Sequence, residues 1–223
     1  GEPLLRKDVV RLIEMLRGID ANIDLAMTTN GVLLKRHAAD LVKAGLNRVT
    51  VSLDAVDEDV FQTMADTATH TPSDVLSGID HALAVGLGVK VNAVIRRTLN
   101  VGQVIGLAEA CTRRNVPLRF IEYMDVGNTN DWNLDEVVTG AELRSMVETE
   151  YGRLEAEQPN TPGEVARRYK TEDGHRFGFI ESVSNPFCGD CSRARLSANG
   201  SLYTCLFSSS GHDLKGMLRM NAS

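Results

Sequence analysis

Val49-Thr50-Val51-Ser52-Leu53-Asp54 and Val89-Lys90-Val91-Asn92-Ala93-Val94-Ile95 bracket two helical stretches, roughly Glu58 to Met64 and Ser73 to Val85, the second stopped by Gly86. Both brackets are short runs rich in β-branched residues, which favour strands. A strand, a helical crossover and another strand make a βαβ unit, which forces the two strands to run parallel. The rhythm repeats outward. Val9, Val10, Leu12, Ile13 and Leu16 recur at helical spacing, with Gly18 near the stop. Ile23 to Met27 reads as a strand, Thr28-Thr29-Asn30-Gly31 as a turn, and Leu33 to Ala44 as a helix closed by Gly45. After the second bracket come a helix over Gln103 to Thr112 and a strand over Leu118 to Tyr123. The fold class is therefore α/β, with a parallel sheet wound by βα units.

Past Asp125 the rhythm breaks. Val126 to Asn133 reads as a loop, Gly140 to Thr149 as a helix, and the Pro/Gly/Asn-rich run Gln158 to Glu164 as another loop. Phe177 to Val183 and Arg193 to Cys205 read as strands. Ala198-Asn199-Gly200-Ser201 predicts a two-residue type I′ hairpin. The chain is expected to divide near residue 150, with βα units in 1–150 and a smaller cysteine-bearing, β-rich region in 151–223.

The 223 residues are 43% hydrophobic and 24% charged, ordinary proportions for a globular core. A net charge of −6, from 24 basic and 30 acidic residues, argues against a general nucleic-acid or anionic-membrane surface. It leaves room for a local basic pocket. No apolar run approaches the roughly 18 residues of a membrane span, and no signal peptide opens the chain, so a cytoplasmic location is expected. The abrupt start at Gly1-Glu2-Pro3 reads as a segment of a longer protein.

Cys188-Gly189-Asp190-Cys191 is followed, after thirteen residues, by Cys205. Thiolates gathered this tightly hold a metal or an iron–sulfur cluster. Three ligands rather than four leave one coordination position open for a substrate. Zinc would need a fourth ligand, with His175 or His212 as candidates. The hairpin explains how Cys205 reaches the Cys-x-x-Cys loop: ideal type I′ pairing sets it opposite Ala194. Arg193 and Arg195 lie two apart, so they share one side of a strand and suit a phosphate chain. That same pairing puts Cys205 on the face opposite the arginines. Cys111 stands alone in a helical pattern.

Ligands of α/β sheets bind at the C-terminal strand ends. Thr28, Thr29 and Asn30 follow the first strand, Ser52 and Asp54 close the second, and Glu122 and Met124 end the fourth. Lys90 and Asn92 share one face of the third. Together these polar groups point to a pocket for a polar ligand.

The sequence resembles one family through several motifs. Gly1-Glu2-Pro3-Leu4-Leu5-Arg6 looks like the end of the Gly-Gly-Glu-Pro motif of radical S-adenosylmethionine (radical SAM) enzymes. Thr28 to Gly31, Ser52 to Ala55, Arg119 to Met124 and Phe187 to Leu196 resemble the MoaA family, which opens molybdenum-cofactor synthesis. The likeness implies a partial (βα)6 TIM-like radical SAM barrel followed by an auxiliary-cluster region. It implies cyclisation of GTP to a 3′,8-cyclo-7,8-dihydroguanosine triphosphate. Cys188, Cys191 and Cys205 would hold an auxiliary [4Fe–4S] cluster. Arg193, Arg195, Lys90 and Thr28 would contact GTP, and Gly1, Ser52 and Met124 would contact S-adenosylmethionine. A homodimer and a downstream cyclic pyranopterin monophosphate synthase would be partners, with no nucleic acid or membrane. The family's other cluster uses a Cys-x3-Cys-x2-Cys motif upstream of Gly-Gly-Glu-Pro, so that second [4Fe–4S] cluster is expected in the parent protein only. Residues 1–223 alone are expected not to generate the radical. Two other readings are a nucleotide-binding fragment with structural zinc and a radical SAM enzyme acting on another substrate.

Overall fold

The computed structural model describes residues 1–125, 132–159, 163–186, 191 and 193–220. Its frame is a seven-stranded sheet in the order β1-β2-β3-β4-β7-β6-β5. Strands β1 (Ala26–Thr29), β2 (Arg48–Ser52), β3 (Gly88–Ile95), β4 (Leu118–Glu122) and β7 (Arg176–Ile180) run parallel to their neighbours in that row. The short strands β5 (Glu155–Ala156) and β6 (Arg167–Lys170) continue the sheet antiparallel beyond β7. Helices α1 (Val9–Ile19), α2 (Leu34–Lys43), α3 (Glu58–Ala65), α4 (Pro72–Ala84), α5 (Val104–Thr112) and α6 (Gly140–Tyr151) connect the strands. The βα rhythm thus holds, with most boundaries within two residues of those read from sequence. Two corrections concern Thr28-Thr29, which lies inside β1 rather than in a turn, and Arg167–Lys170, a strand whose charged composition hid it. The sheet passes without a break from β4 to β7 across residue 150.

Period-two alternation sets the layers. Val49, Val51, Val91, Ala93, Leu118, Phe120, Phe177 and Phe179 are buried in the core. Phe120 and Phe179 sit opposite each other on neighbouring strands, ring centroids 5.9 Å apart. Burying side chains of this size contributes about 2 kcal/mol each. Helix starts are defined locally: Thr71 with Asp74 and Thr139 with Glu142 form capping boxes for α4 and α6. Gly31 has φ +80°, and a Cβ there would lie 2.8 Å from Val51 Cγ1, so only glycine lets the chain turn this close to β2.

A separate three-stranded sheet, β10-β9-β8, leads into Cys205, which lies just past its central strand. Its strands are β8 (Arg195–Leu196), β9 (Ser201–Tyr203) and β10 (His212–Asp213), followed by α7 (Leu214–Met220). The hairpin forms where expected, but not as a type I′ turn. The Gly200 N–H donates to Ser197 O at 2.9 Å and the Ser197 N–H to Ser201 O at 2.9 Å, leaving three loop residues. Gly200 has φ +88°, whereas Asn199 is not among the positive-φ residues. This is a type I turn closed by a left-handed glycine bulge. One extra loop residue slips the register by one, and Arg195 now faces Tyr203. A Gly200→Ala variant should lose about 1–2 kcal/mol from backbone conformation alone. Its Cβ would also come within 2.5 Å of Lys215 Cβ, so a lowered Tm in thermal melts is expected.

Past β2, the half-buried Asp54 accepts a hydrogen bond from the Val94 N–H at 2.7 Å, and Asn100 Nδ2 donates to both Asp54 O and Val94 O. This clasp ties the ends of β2 and β3 together. Burial raises the Asp54 carboxyl to about 6, opposed by the Val94 bond. Between pH 4 and 6 the unfolded chain releases this proton and the folded chain keeps it. The folded state then binds more protons, so this contribution to stability falls as pH rises through the window. Asp54→Asn should remove the slope. Its stability relative to the parent should rise by on the order of 2 kcal/mol between pH 4 and 7, measured by urea denaturation.

Candidate functional site

One cavity of about 270 Å³ is lined by Met124, Ser182, Pro186, Cys191, Arg193, Arg195, Thr204 and Cys205, besides Leu206 and Phe207. The slipped register sets Tyr203 opposite Arg195, and β9 ends there. The expected pairing of Cys205 with Ala194 does not form: Thr204, Cys205, Leu206 and Phe207 follow the strand and line the cavity that Arg193 and Arg195 share. Arg193 and Arg195 are half-buried, whereas Ala194 and Leu196 between and beyond them are exposed.

The donor set fits an iron–sulfur cluster. Cys191 and Cys205 are free, exposed thiols. Hydrogen bonds from the Arg193 backbone and side chain, with the charges of Arg193 and Arg195 behind them, hold the Cys191 thiol below its ordinary value. That favours the thiolate, the ligating form. Cys111 is the contrast: burial in the α5 core pushes its thiol up to about 12, an inert structural position. Cys188 lies outside the described residues. Among the described residues no histidine or acid joins Cys191 and Cys205 in a group of three. His175, one zinc candidate, bonds through its N–H to Thr171 in the β6–β7 turn. His212, the other, lies on β10 opposite Leu202. Among the described residues the buried Nη1 of Arg195 has no hydrogen-bond partner.

A second cavity, of about 310 Å³, gathers Gly1, Glu2, Thr28, Thr29, Asn30 and Ser52. Glu2 organises it. Its Oε1 accepts from Thr29 Oγ1 at 2.7 Å and from the Leu4 N–H at 3.0 Å, and its Oε2 from the Asn30 N–H at 2.7 Å. Sequence reasoning points to Gly1 and passes over this carboxylate, although its place between Gly1 and Pro3 in the motif is a usable signal.

Lys90 belongs to neither group. It lines a third cavity, about 350 Å³, with Arg119, Arg168, Arg176 and Glu157, where β4 and β7 begin. Burial, then the charges of Arg119 and Arg48, pushes its ammonium below the ordinary lysine value. Arg119 pairs with Glu164 at 3.5 Å, Arg176 with Glu157 at 3.5 Å, and Arg168 reaches both, so three arginines share two carboxylates. Sequence reasoning misses Arg119 as a site residue. Yet it pairs with Asn92 in the sheet, and period-two counting puts it on the same side as Lys90.

Glu122 departs from its expected place in a strand-end ligand pocket. It falls on the buried face of β4 with Leu118 and Phe120, and is 1% exposed. No described helix is long and apolar enough to cross a membrane.

Comparison with known proteins gives the family. The model of the radical SAM superfamily matches residues 1–111, and that of the Molybdenum Cofactor Synthesis C region matches 116–223. The chain is 44% identical over 225 residues to a protein of Staphylococcus epidermidis named GTP 3′,8-cyclase, covering 100% of this chain and 66% of that one. It is 48% identical over 224 residues to the GTP 3′,8-cyclase of Acidothermus cellulolyticus, covering 99% and 61%. The chain thus spans somewhat less than two thirds of these curated relatives. Among solved structures, SuiB of Streptococcus suis bound to S-adenosylmethionine aligns with a TM-score of 0.65 at 16% identity, covering 96% of this chain and 50% of SuiB. That likeness establishes the fold. With two adjoining family models and full-chain relatives in agreement, this chain belongs to the radical SAM superfamily, in its MoaA branch of molybdenum-cofactor synthesis.

Proposed function

We propose that the protein acts in the cyclisation of GTP to a 3′,8-cyclo-7,8-dihydroguanosine triphosphate, the opening step of molybdenum-cofactor synthesis. The observation that carries this reading is the single cavity shared by Met124, Cys191, Cys205, Arg193 and Arg195. Cys188, Cys191 and Cys205 would hold an auxiliary [4Fe–4S] cluster. When bound, that cluster would supply an iron with an open position for guanine, while the hydrogen-abstracting radical would come from S-adenosylmethionine cleaved with one electron from the parent protein's other [4Fe–4S] cluster. The chain's own part is placement. Gly1 and Ser52 would seat S-adenosylmethionine beside Thr28, with Met124 facing it from the end of β4. Arg193 and Arg195 would grip GTP through paired, charge-assisted hydrogen bonds. Thr28 and Lys90 would complete the contacts, with the cation-rich cavity around Lys90 suited to phosphate. Residues 1–150 would serve the S-adenosylmethionine side and 151–223 the auxiliary cluster. A homodimer in the cytoplasm, passing its product to a cyclic pyranopterin monophosphate synthase, completes the proposal.

Metal analysis after anaerobic purification, with equilibrium GTP binding, tests it. Iron with acid-labile sulfide and saturable GTP binding are expected. One zinc per chain without iron would instead establish the structural-zinc reading. A cluster with no affinity for GTP would point to a radical enzyme of another substrate.

A further inference from the structure

Glu122 is a carboxylate sealed in the core at the end of β4, with 1% of its surface exposed. Such a group persists only where hydrogen bonds replace its hydration. Four donors surround it. Oε1 accepts from the Gly140 N–H at 2.7 Å and from Ser184 Oγ; Oε2 accepts from the Val183 and Ser184 N–H groups, both at 2.8 Å. Gly140 is the first residue of α6, where backbone N–H groups lack helical partners and the helix dipole favours negative charge. Val183 and Ser184 lie in the segment that leaves β7 toward the cysteines. One side chain therefore joins three elements distant in sequence.

The placement bears on the site. Ser182 and Pro186, on either side of the clamped pair, both line the cavity with Cys191. Met124, two residues beyond Glu122, lines the same cavity. We infer that Glu122 is a positioning residue that locks residues 182–186, the segment preceding the cysteines, to the end of β4, fixing where Met124, Ser182 and Pro186 sit around the cavity. The inference rests on the proposed function only for what that loop carries. A core role alone would be met by an apolar side chain; four donors converging on two oxygens from the loop and α6 require an acceptor. The loop has other ties, Asn185 N–H to Glu181 O at 3.2 Å and Arg167 to Glu181 at 3.2 Å, but these join it to β7 and β6 rather than to β4.

Amide hydrogen exchange tests this directly, and first in the unaltered protein. The Val183 and Ser184 amides sit in a loop, yet should exchange at least tenfold more slowly than neighbouring loop amides; exchange at ordinary loop rates overturns the inference. Glu122→Gln keeps the shape but turns a donor toward donors. It should speed exchange at Gly140, Val183 and Ser184 tenfold or more, leaving Val49 and Val91 unchanged. In the metal-loaded protein the same change should speed metal loss to a chelator and alter the auxiliary cluster's electron paramagnetic resonance spectrum. Leu107→Ala, a core truncation remote from the loop, should leave that spectrum unaltered. A Glu122→Gln protein with unchanged protection and spectrum overturns the inference. If Glu122→Gln does not fold, exchange in the unaltered protein decides. A parent that binds no iron overturns the proposed function, and the exchange measurement then decides the role of Glu122 independently.

Discussion

Under the proposed function, Cys205→Ser is expected to remove about four irons per chain from the anaerobically reconstituted protein. The serine hydroxyl is a poor substitute for a thiolate toward iron, and two remaining ligands hold a cubane cluster badly. Cys191→Ser should do the same. Cys111→Ser is the control: that thiol is buried in the α5 core, so iron content should be unchanged while stability falls. Metal analysis with visible absorption reads all three variants. Full iron retention in Cys205→Ser would remove Cys205 from the ligand set and undo the reading of the cavity. The effect on the site is large because Cys205 follows the hairpin that carries Arg195 and lines the same cavity as both arginines.

Replacing Arg193 and Arg195 together by alanine should weaken GTP binding a hundredfold or more, about 3 kcal/mol, while cluster content stays near that of the parent. Charge-assisted hydrogen bonds contribute roughly 1.5–3 kcal/mol each, and a partly buried guanidinium gives up less to solvent screening than an exposed one. Isothermal titration with GTP measures the change. Guanosine binding should fall far less, since it lacks the triphosphate. Equal losses for both ligands would show that the arginines hold the base or the fold rather than the phosphates. Lysine at both positions should recover only part of the affinity, because a point charge cannot grip two oxygens at once.

The fold and the site were legible to different depths. Helices and parallel strands announced themselves because burial follows periods of 3.6 and two, and because Gly45 and Gly86 stop helices with backbone angles few other residues adopt. The strand Arg167–Lys170 did not, because it gains its order from backbone bonding to β7 and β5 rather than from an apolar face. Cysteine spacing pointed to a metal site, since ligation needs nearby thiolates. The register of the hairpin that precedes Cys205 could not be read so simply. Asn-Gly serves both a two-residue turn and a three-residue bulged loop, and the Gly200 carbonyl, bonded by the Leu214 and Lys215 N–H groups, belongs to contacts made later in the chain.

The sequence by itself determined that this is an α/β protein wound from βα units, that cysteines and arginines crowd one late segment, and to which family it belongs. Those are properties of local pattern and spacing, which need no knowledge of distant contacts. Tertiary structure alone decided that Cys205 joins Arg193 and Arg195 in one cavity, that Lys90 serves a different cavity, and that Glu122 turns from the ligand side to clamp Gly140, Val183 and Ser184. The first two depend on register and on how the strands pack, and the Glu122 clamp on partners 18 to 62 residues away along the chain. Hydrogen bonds over such separations are fixed by how the layers pack, and one residue of slip reverses the side a group faces.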